Sequence, residues 1–114
     1  MRNPILLLND ILEAINSIEK FVEGIDFDEF TRNDEKSSAV IRKFEIIGEA
    51  AKGVSKHIKE KFSNVPWKEM AGFKDKLIHF YFGIKNELVW QTIKNRLPHL
   101  KITIKRIIYE LEKN

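Results

Sequence analysis

The segment VIRKFEIIGEAAKGVSKHI, residues 40–58, decides the fold of this 114-residue chain. Its apolar side chains recur at alternating intervals of four and three residues, at Val40, Phe44, Ile47, Ala51, Val54 and Ile58. In an α-helix this spacing forms a single apolar stripe, which packs against a neighbouring helix at a shallow angle. The segment therefore predicts a long helix that is capped at Asn33 or Asp34 and runs to about Phe62.

The same helical period continues on both sides of this segment. Before it, apolar residues step by three and four from Leu8 to Ile25, and after it they do so from Leu97 to Leu111. No segment shows the sustained alternation of a β-strand. The sequence thus predicts an all-α fold, an antiparallel up-and-down bundle of four to five helices that forms one domain over residues 1–114.

Prolines and glycines mark where the other helices begin and end. Pro4 suits the first turn of the first helix, with Asn3 as its cap. Pro66 suits the first turn of a third helix, and Gly83 lies just past the predicted end of that helix. Pro98 either kinks the fourth helix or lies in the first turn of a fifth.

Composition excludes several classes of protein and site. The chain has no cysteine, which excludes disulfides, thiolate chemistry and cysteine-based zinc sites. Its 20 basic and 17 acidic residues give a net charge of +3, a mixed surface and not that of a dedicated nucleic-acid coat. No apolar run reaches the length of a signal-peptide core or a membrane span, so we expect no membrane contact. The absence of cysteine favours a reducing cytoplasm as the location.

The three histidines, His57, His79 and His99, do not show the spacing of metal ligands. His57 and His99 lie among lysines, which predicts that both are exposed on the surface. We therefore expect no metal and no other cofactor.

Charged residues share one face of the predicted second helix. Glu45 and Glu49 are four residues apart, and Arg42 lies three residues before Glu45, so the three side chains are neighbours on one face. Gly48 lies in mid-helix, where close approach of another helix is the usual reason for glycine. Two interpretations remain: a group that supports a nearby site, or a solvated charged face with a packing glycine.

The most unusual stretch is FKDKLIHFYFGI, residues 73–84, because polar groups lie within an aromatic segment. In a regular helix Asp75 and His79 are one turn apart, so the carboxylate can fix the imidazole tautomer and leave the other nitrogen free for proton transfer. Lys74 lies about 140° round from His79, in line with Tyr81. One helix does not bring Lys74 and His79 together, but two antiparallel copies do. The alternative is a core histidine bonded to a backbone carbonyl, beside surface lysines.

Three segments carry a likeness that runs nearly end to end: AVIRKFEIIGEAAK (39–52), PWKEMAGFKDKLIHFYFGI (66–84) and VWQTIKNRLPHL (89–100). In these segments the chain resembles HepT-like toxins of the HEPN superfamily. The signature of that family is an arginine, four to six residues, and a histidine followed by x-Tyr. This chain has Lys74, four residues and then His79, with Tyr81 two residues further on. Asp75 stands where the family has a polar residue after the arginine.

The resemblance implies an all-helical homodimer whose active site forms where the two signature helices meet. It implies a metal-independent endoribonuclease, the toxin of a type II toxin–antitoxin system. It also implies an antitoxin of the minimal nucleotidyltransferase (MNT) type, which adenylylates Tyr81. In this interpretation His79 is the general acid or base, Lys74 neutralises the RNA phosphate and Asp75 orients His79. Arg42, Glu45 and Glu49 then support the site from the second helix.

The homodimer has a second ground in the residues themselves. The large aromatic side chains exceed what one small bundle hides, which favours burial against a second copy. The side chains in question are Trp67, Phe80, Phe82 and Trp90.

The signature arginine is replaced by Lys74, and this leaves two further interpretations open. Arginine holds phosphate with a planar fork of donors, whereas lysine offers a single mobile charge. The alternative function is a catalytically inactive helical binding partner of a minimal nucleotidyltransferase. A third interpretation is a structural four-helix domain in which the stretch 73–84 has no chemical role.

Overall fold

Seven α-helices make up the part of the chain that the structure, a computed structural model, describes. That part is residues 3–79 and 86–113, without the side chains of Lys74, Ile78 and His79. The helices are α1 (Pro4–Phe21), α2 (Phe27–Arg32), α3 (Asp34–Gly53), α4 (Lys56–Lys61), α5 (Trp67–His79), α6 (Asn86–Asn95) and α7 (Leu97–Glu112). Five of them are long and two have six residues. The predicted all-α class is confirmed, and the long helices correspond to the four to five predicted.

Helix α1 packs antiparallel to α3 and to α7. α1 packs against α3 and α7, α3 packs against α5, and α6 packs against α7. Gly53 at the end of α3 lies beside Leu7 at the start of α1. Lys101 near the start of α7 donates a hydrogen bond of 2.7 Å to Glu19 near the end of α1. Each of these contacts joins the start of one helix to the end of the other, as an up-and-down bundle requires.

The predicted apolar stripes form the core. Side chains of α1 and α7 that are at most 1% exposed face each other there: Leu8, Ile11, Ile15, Ile18, Ile104 and Ile107. The stripe of the segment 40–58 is also buried, at Val40, Phe44, Ile47, Ala51, Val54 and Ile58. The period of three and four therefore identified the buried faces of α1, α3 and α7 correctly.

The predicted continuity of the second helix to about Phe62 is wrong, because the helix stops at Gly53. Val54 has an extended backbone, with φ −68° and ψ 135°, and Ser55 then caps α4. The Ser55 hydroxyl accepts a hydrogen bond from the amide of Ile58 at 3.4 Å. Glycine disfavours helix and serine favours a cap, so this pair of residues explains the break. The apolar stripe continues across it into α4.

Helix α2 was not predicted. Gly24, with φ +75°, turns the chain after α1, and Asp26 then caps the new helix by accepting the amide of Glu29 at 2.9 Å. Phe30 is fully buried and lies 5.3 Å from the ring centroid of Trp90. This short helix therefore covers the end of the core between α3 and α6.

Caps and prolines confirm most of the predicted helix ends. Asn3 accepts the amide of Ile5 at 2.8 Å, and Asn33 accepts the amide of Lys36 at 2.9 Å. Pro98 lies in the first turn of α7, which is one of its two predicted places. Gly83 lies outside the described residues.

Both tryptophans are accommodated within the chain. Trp67 is 7% exposed, and Trp90 is half-buried between Phe27, Phe30 and the Lys94 ammonium. Phe80 and Phe82 lie outside the described residues. The argument that large aromatics require a second copy is therefore wrong for the tryptophans, and the homodimer stays a prediction on its other grounds.

Candidate functional site

Helix α5 carries the predicted catalytic residues, and its inner face is held in three ways. The Trp67 indole donates a hydrogen bond of 3.1 Å to the carbonyl of Phe62, which fixes the start of the helix. Phe73 packs edge-on against Phe44 of α3, with ring centroids 4.9 Å apart. Leu77 is 4% exposed. These contacts determine which face of α5 is turned towards solvent.

The positions of Lys74, Asp75 and His79 all lie on the helical backbone of α5. Asp75 is exposed, whereas the side chains of Lys74 and His79 lie outside the described part of the structure. Tyr81 lies outside the described residues altogether. Since α5 is a continuous helix, positions 74 and 79 are about 140° apart around its axis. One α5 helix therefore keeps positions 74 and 79 on different faces, as predicted.

Arg42, Glu45 and Glu49 form a charged face of α3. The Arg42 guanidinium lies 3.4 Å from the Glu45 carboxylate, with the two side chains 68% and 31% exposed. Glu49 is exposed on the same side. By helix register the three residues lie about 100° to 160° round α3 from Phe44, which contacts α5. Within one chain Arg42 and Glu49 are exposed and Glu45 is partly exposed, and a supporting role near the site stays a prediction.

Gly48 is buried on α3, one turn from Phe44. His57 and His99 are exposed, which confirms the predicted surface positions.

Within residues 3–79 and 86–113, no group of three or more His, Asp or Glu side chains is placed to hold a metal ion. None of the helices in these ranges combines the length and hydropathy that crossing a membrane requires.

A cleft of about 440 Å³ opens between α5 on one side and α6 and α7 on the other. Its apolar lining comes from four helices: Phe44, Ile47, Met70, Phe73, Leu88, Leu97 and Leu100. No sequence pattern predicts this cleft, because these residues are spread over more than fifty positions of the chain and share no motif. A weak signal is the series Lys68, Gly72 and Lys76, in which lysine and glycine alternate every four residues.

The α5 wall of the cleft carries Lys68, Gly72 and Lys76, at intervals of four residues. Successive members of such a series are neighbours on one face, about 6 Å apart along the axis. Across the cleft, Arg96 donates a hydrogen bond to Glu69 and so links the start of α5 to the junction of α6 and α7. Because this ion pair is neutral, the two lysines leave the rim with an excess of positive charge.

Among the described residues, Gly72 has no packing partner that explains it. A Cβ atom at this position meets no atom of the described chain within 4 Å. A glycine in mid-helix destabilises the helix by about 1 kcal/mol relative to alanine. The position of His79 is seven residues further on and therefore lies on the same face of α5, about 10.5 Å along the axis. Gly72 thus leaves an open wall beside the predicted catalytic end of the helix.

A family model described as Ribonuclease HepT-like matches residues 11–107. The chain belongs to the HepT-like ribonuclease family. The match includes the whole of α5, the helix that carries Lys74, Asp75 and His79. The predicted resemblance is thereby confirmed, and the predicted class of enzyme, a ribonuclease, is that of the family.

Curated relatives of this HepT-like protein cover nearly its whole length. A protein of Caldanaerobacter subterraneus subsp. tengcongensis named “Putative RNase TTE0752” is 42% identical over 95% of this chain and 96% of its own. The Methanocaldococcus jannaschii protein “Putative RNase MJ0125” is 45% identical over 92% of this chain and 90% of its own. “Probable ribonuclease HepT” of Thermococcus cleftensis is 46% identical over 82% of this chain and 86% of its own. No solved structure is significantly similar to the chain.

Proposed function

We propose that this HepT-like protein is the toxin of a type II toxin–antitoxin system and cleaves RNA without a metal, at a site formed by two copies. One observation carries the proposal: α5 runs unbroken through Lys74, Asp75 and His79 in a chain of the HepT-like ribonuclease family. The acting unit is the single domain of residues 1–114, in the cytoplasm, where RNA is translated.

The proposed chemistry is attack of a ribose 2′-hydroxyl on the adjacent phosphorus. His79 of one copy takes the 2′-hydroxyl proton as general base, and His79 of the other copy protonates the leaving 5′-oxygen as general acid. The products are a 2′,3′-cyclic phosphate end and a 5′-hydroxyl end. DNA lacks the 2′-hydroxyl and is spared.

Two neighbours of His79 assist in this proposal. The Lys74 ammonium neutralises charge that develops on the phosphate oxygens. The Asp75 carboxylate, one turn before His79, accepts a hydrogen bond from the imidazole and fixes its tautomer. Because positions 74 and 79 lie about 140° apart on α5, Lys74 of one copy acts with His79 of the other. This division supports the homodimer as the active form.

The proposed antitoxin is a nucleotidyltransferase of the MNT type, which transfers AMP from ATP to the Tyr81 hydroxyl and releases pyrophosphate. The added phosphate brings negative charge close to Lys74, where opposite charges attract, and the nucleotide blocks the site. Incubation with the enzyme of the adjacent gene and ATP should raise the intact mass by AMP units. Tyr81→Phe should show no gain, and modification of that variant would contradict the assignment.

The central test is cleavage of a labelled RNA by the purified protein in excess EDTA. Wild type should cleave, and His79→Ala should lose about 10² to 10⁴-fold in rate, because a positioned general acid or base contributes that much. His99→Ala is the matched control, since His99 is exposed on α7, and it should cleave like wild type. A strict requirement for a divalent ion, or equal loss in both variants, would overturn the mechanism.

A second candidate function is a catalytically inactive helical partner of the nucleotidyltransferase. The lysine at position 74 favours it, because lysine cannot hold phosphate with the bidentate fork of arginine. If wild type is inactive and Lys74→Arg cleaves RNA, the protein is such a partner and the lysine is the cause. If wild type already cleaves, this candidate is excluded.

A further inference from the structure

We propose that the cleft between α5 and α6–α7 binds a nucleobase of the RNA strand beside the cleaved phosphate. The inference rests on the proposed function and adds a substrate subsite to it. The cleft has the form of a ligand site, because an apolar floor is surrounded by a few polar groups. Its volume of about 440 Å³ is large enough for a single nucleoside.

Gly72 is the observation that points to an occupant. The chain carries the cost of a mid-helix glycine at a place where no described atom comes near a Cβ. A missing side chain is used where a ligand approaches the backbone closely. A flat base can lie against the bare helix wall at Gly72 and extend over the Phe73 ring, since single-stranded RNA is bound largely by stacking on apolar faces.

The charges of the rim favour RNA over a second copy of the chain. Lys68 and Lys76 lie one turn on either side of Gly72, so a base at the glycine has a cation near the phosphate on each side of it. A two-fold interface places the same surface patch on both subunits. A dimer axis that crosses α5 at Gly72 therefore sets Lys68 of one copy against Lys76 of the other.

The position of the cleft also fits the chemistry. Gly72 and His79 share one face of α5, two turns apart, so a strand that follows this face passes from the cleft to the catalytic position. The α5 wall of the cleft reaches Lys76, three residues before His79. The cleft therefore holds the base of a nucleotide next to the scissile phosphate.

The test is binding of a labelled single-stranded 2′-O-methyl RNA, measured by fluorescence anisotropy with the full chain. This probe lacks the attacking hydroxyl, so the result does not depend on whether the protein cleaves RNA. Gly72→Leu should raise Kd about tenfold, the effect of losing one stacked base. Lys76→Gln should weaken binding and reduce the salt slope by about one, whereas Lys105→Gln on the distant face of α7 should change neither.

An abasic version of the probe separates base binding from phosphate binding. Wild type should prefer the base-containing probe about tenfold, and Gly72→Leu should bind both equally. Thermal unfolding of each variant shows that the fold is intact. Equal Kd for wild type and Gly72→Leu would overturn the subsite, as would a change in molecular mass by light scattering, which would make the cleft a subunit interface. If binding meets these expectations but natural RNA is not cleaved, the proposed ribonuclease activity is wrong and the subsite stands.

Discussion

The interface of α1 with α7 and the cleft beside α5 contain similar aliphatic side chains, but only the first is filled. In the interface Ile15 and Ile104 are 0% exposed. At the cleft Leu88 is 43% exposed, and no described atom lies within 4 Å of a Cβ placed at Gly72. Apolar composition therefore does not by itself separate a core from a binding surface. The difference lies in whether the facing helix approaches closely enough to exclude a ligand.

This difference predicts where substitutions affect stability and where they affect function. Deleting side-chain atoms in a filled interface lowers the free energy of unfolding, because the surrounding side chains cannot fully fill the cavity that is left. An open cleft tolerates the same change, since solvent already reaches its walls. Four measurements of the free energy of unfolding test the contrast.

The largest effect is expected in the filled interface. Ile15→Ala should lower the free energy of unfolding by about 2 to 5 kcal/mol, the usual cost of deleting a large buried aliphatic side chain. Leu88→Ala at the cleft should lower it by about 0.5 kcal/mol or less. Urea unfolding followed by circular dichroism measures both. Similar losses in the two variants would mean that the cleft is packed as tightly as the core.

The next effect concerns α3, which packs against α1 and also lines the cleft. Asn33→Ala removes the side chain that accepts the amide of Lys36 and should cost about 1 kcal/mol. Asn33→Asp is the matched control, because aspartate caps equally well. Urea unfolding again reports the change. If the alanine variant is as stable as the aspartate variant, α3 is held by packing alone.

Gly72→Ala should raise the free energy of unfolding by about 0.5 to 1 kcal/mol, because the helix gains propensity and no described atom opposes the new Cβ. Gly24→Ala provides the opposite case. At φ +75° a Cβ atom is strained, so that variant should be less stable than wild type. A loss of stability in Gly72→Ala would show that the wall of the cleft is filled within the protein itself.

The smallest effects are expected from two ion pairs between described helices. The Glu19–Lys101 pair has side chains 38% and 28% exposed, and a double-mutant cycle should give a coupling of about 0.5 to 1 kcal/mol. The Glu69–Arg96 pair across the cleft is 69% and 62% exposed and should give about 0.3 kcal/mol or less. In both pairs the glutamate is replaced by glutamine and the basic residue by methionine. A stronger coupling across the cleft would mean that the pair holds the cleft in shape.

How far the sequence predicts the fold depends on the length of each pattern. Long apolar stripes identified α1, α3 and α7 and their buried faces, because burial imposes the same period over many turns. Helix α2 has six residues, too few for a period, although Asp26 and Glu29 have the spacing of a capping pair. The break at Val54 was missed because the stripe continues across it and only Gly53 and Ser55 mark the end.

The candidate site is predictable only where its residues are close in sequence. Lys74, Asp75 and His79 lie within six positions, so their helical relation followed from the period alone. The cleft depends on how α3, α5, α6 and α7 are placed together, which no local pattern encodes. Gly72 illustrates the difference. From the sequence it is only a residue that destabilises a helix, whereas the structure shows that no described atom lies within 4 Å of a Cβ placed there.

The one-sided attachment of α5 has a consequence for hydrogen exchange. α1 is held between α3 and α7, whereas α5 packs mainly on α3 and borders the cleft on its other side. A helix with fewer buried contacts opens at a lower free energy than the global unfolding transition. Amide protons of α5 should therefore exchange by local opening, whereas those of α1 should exchange only through global unfolding. The helix that carries the predicted catalytic positions is then also the one whose protection a bound ligand can raise most.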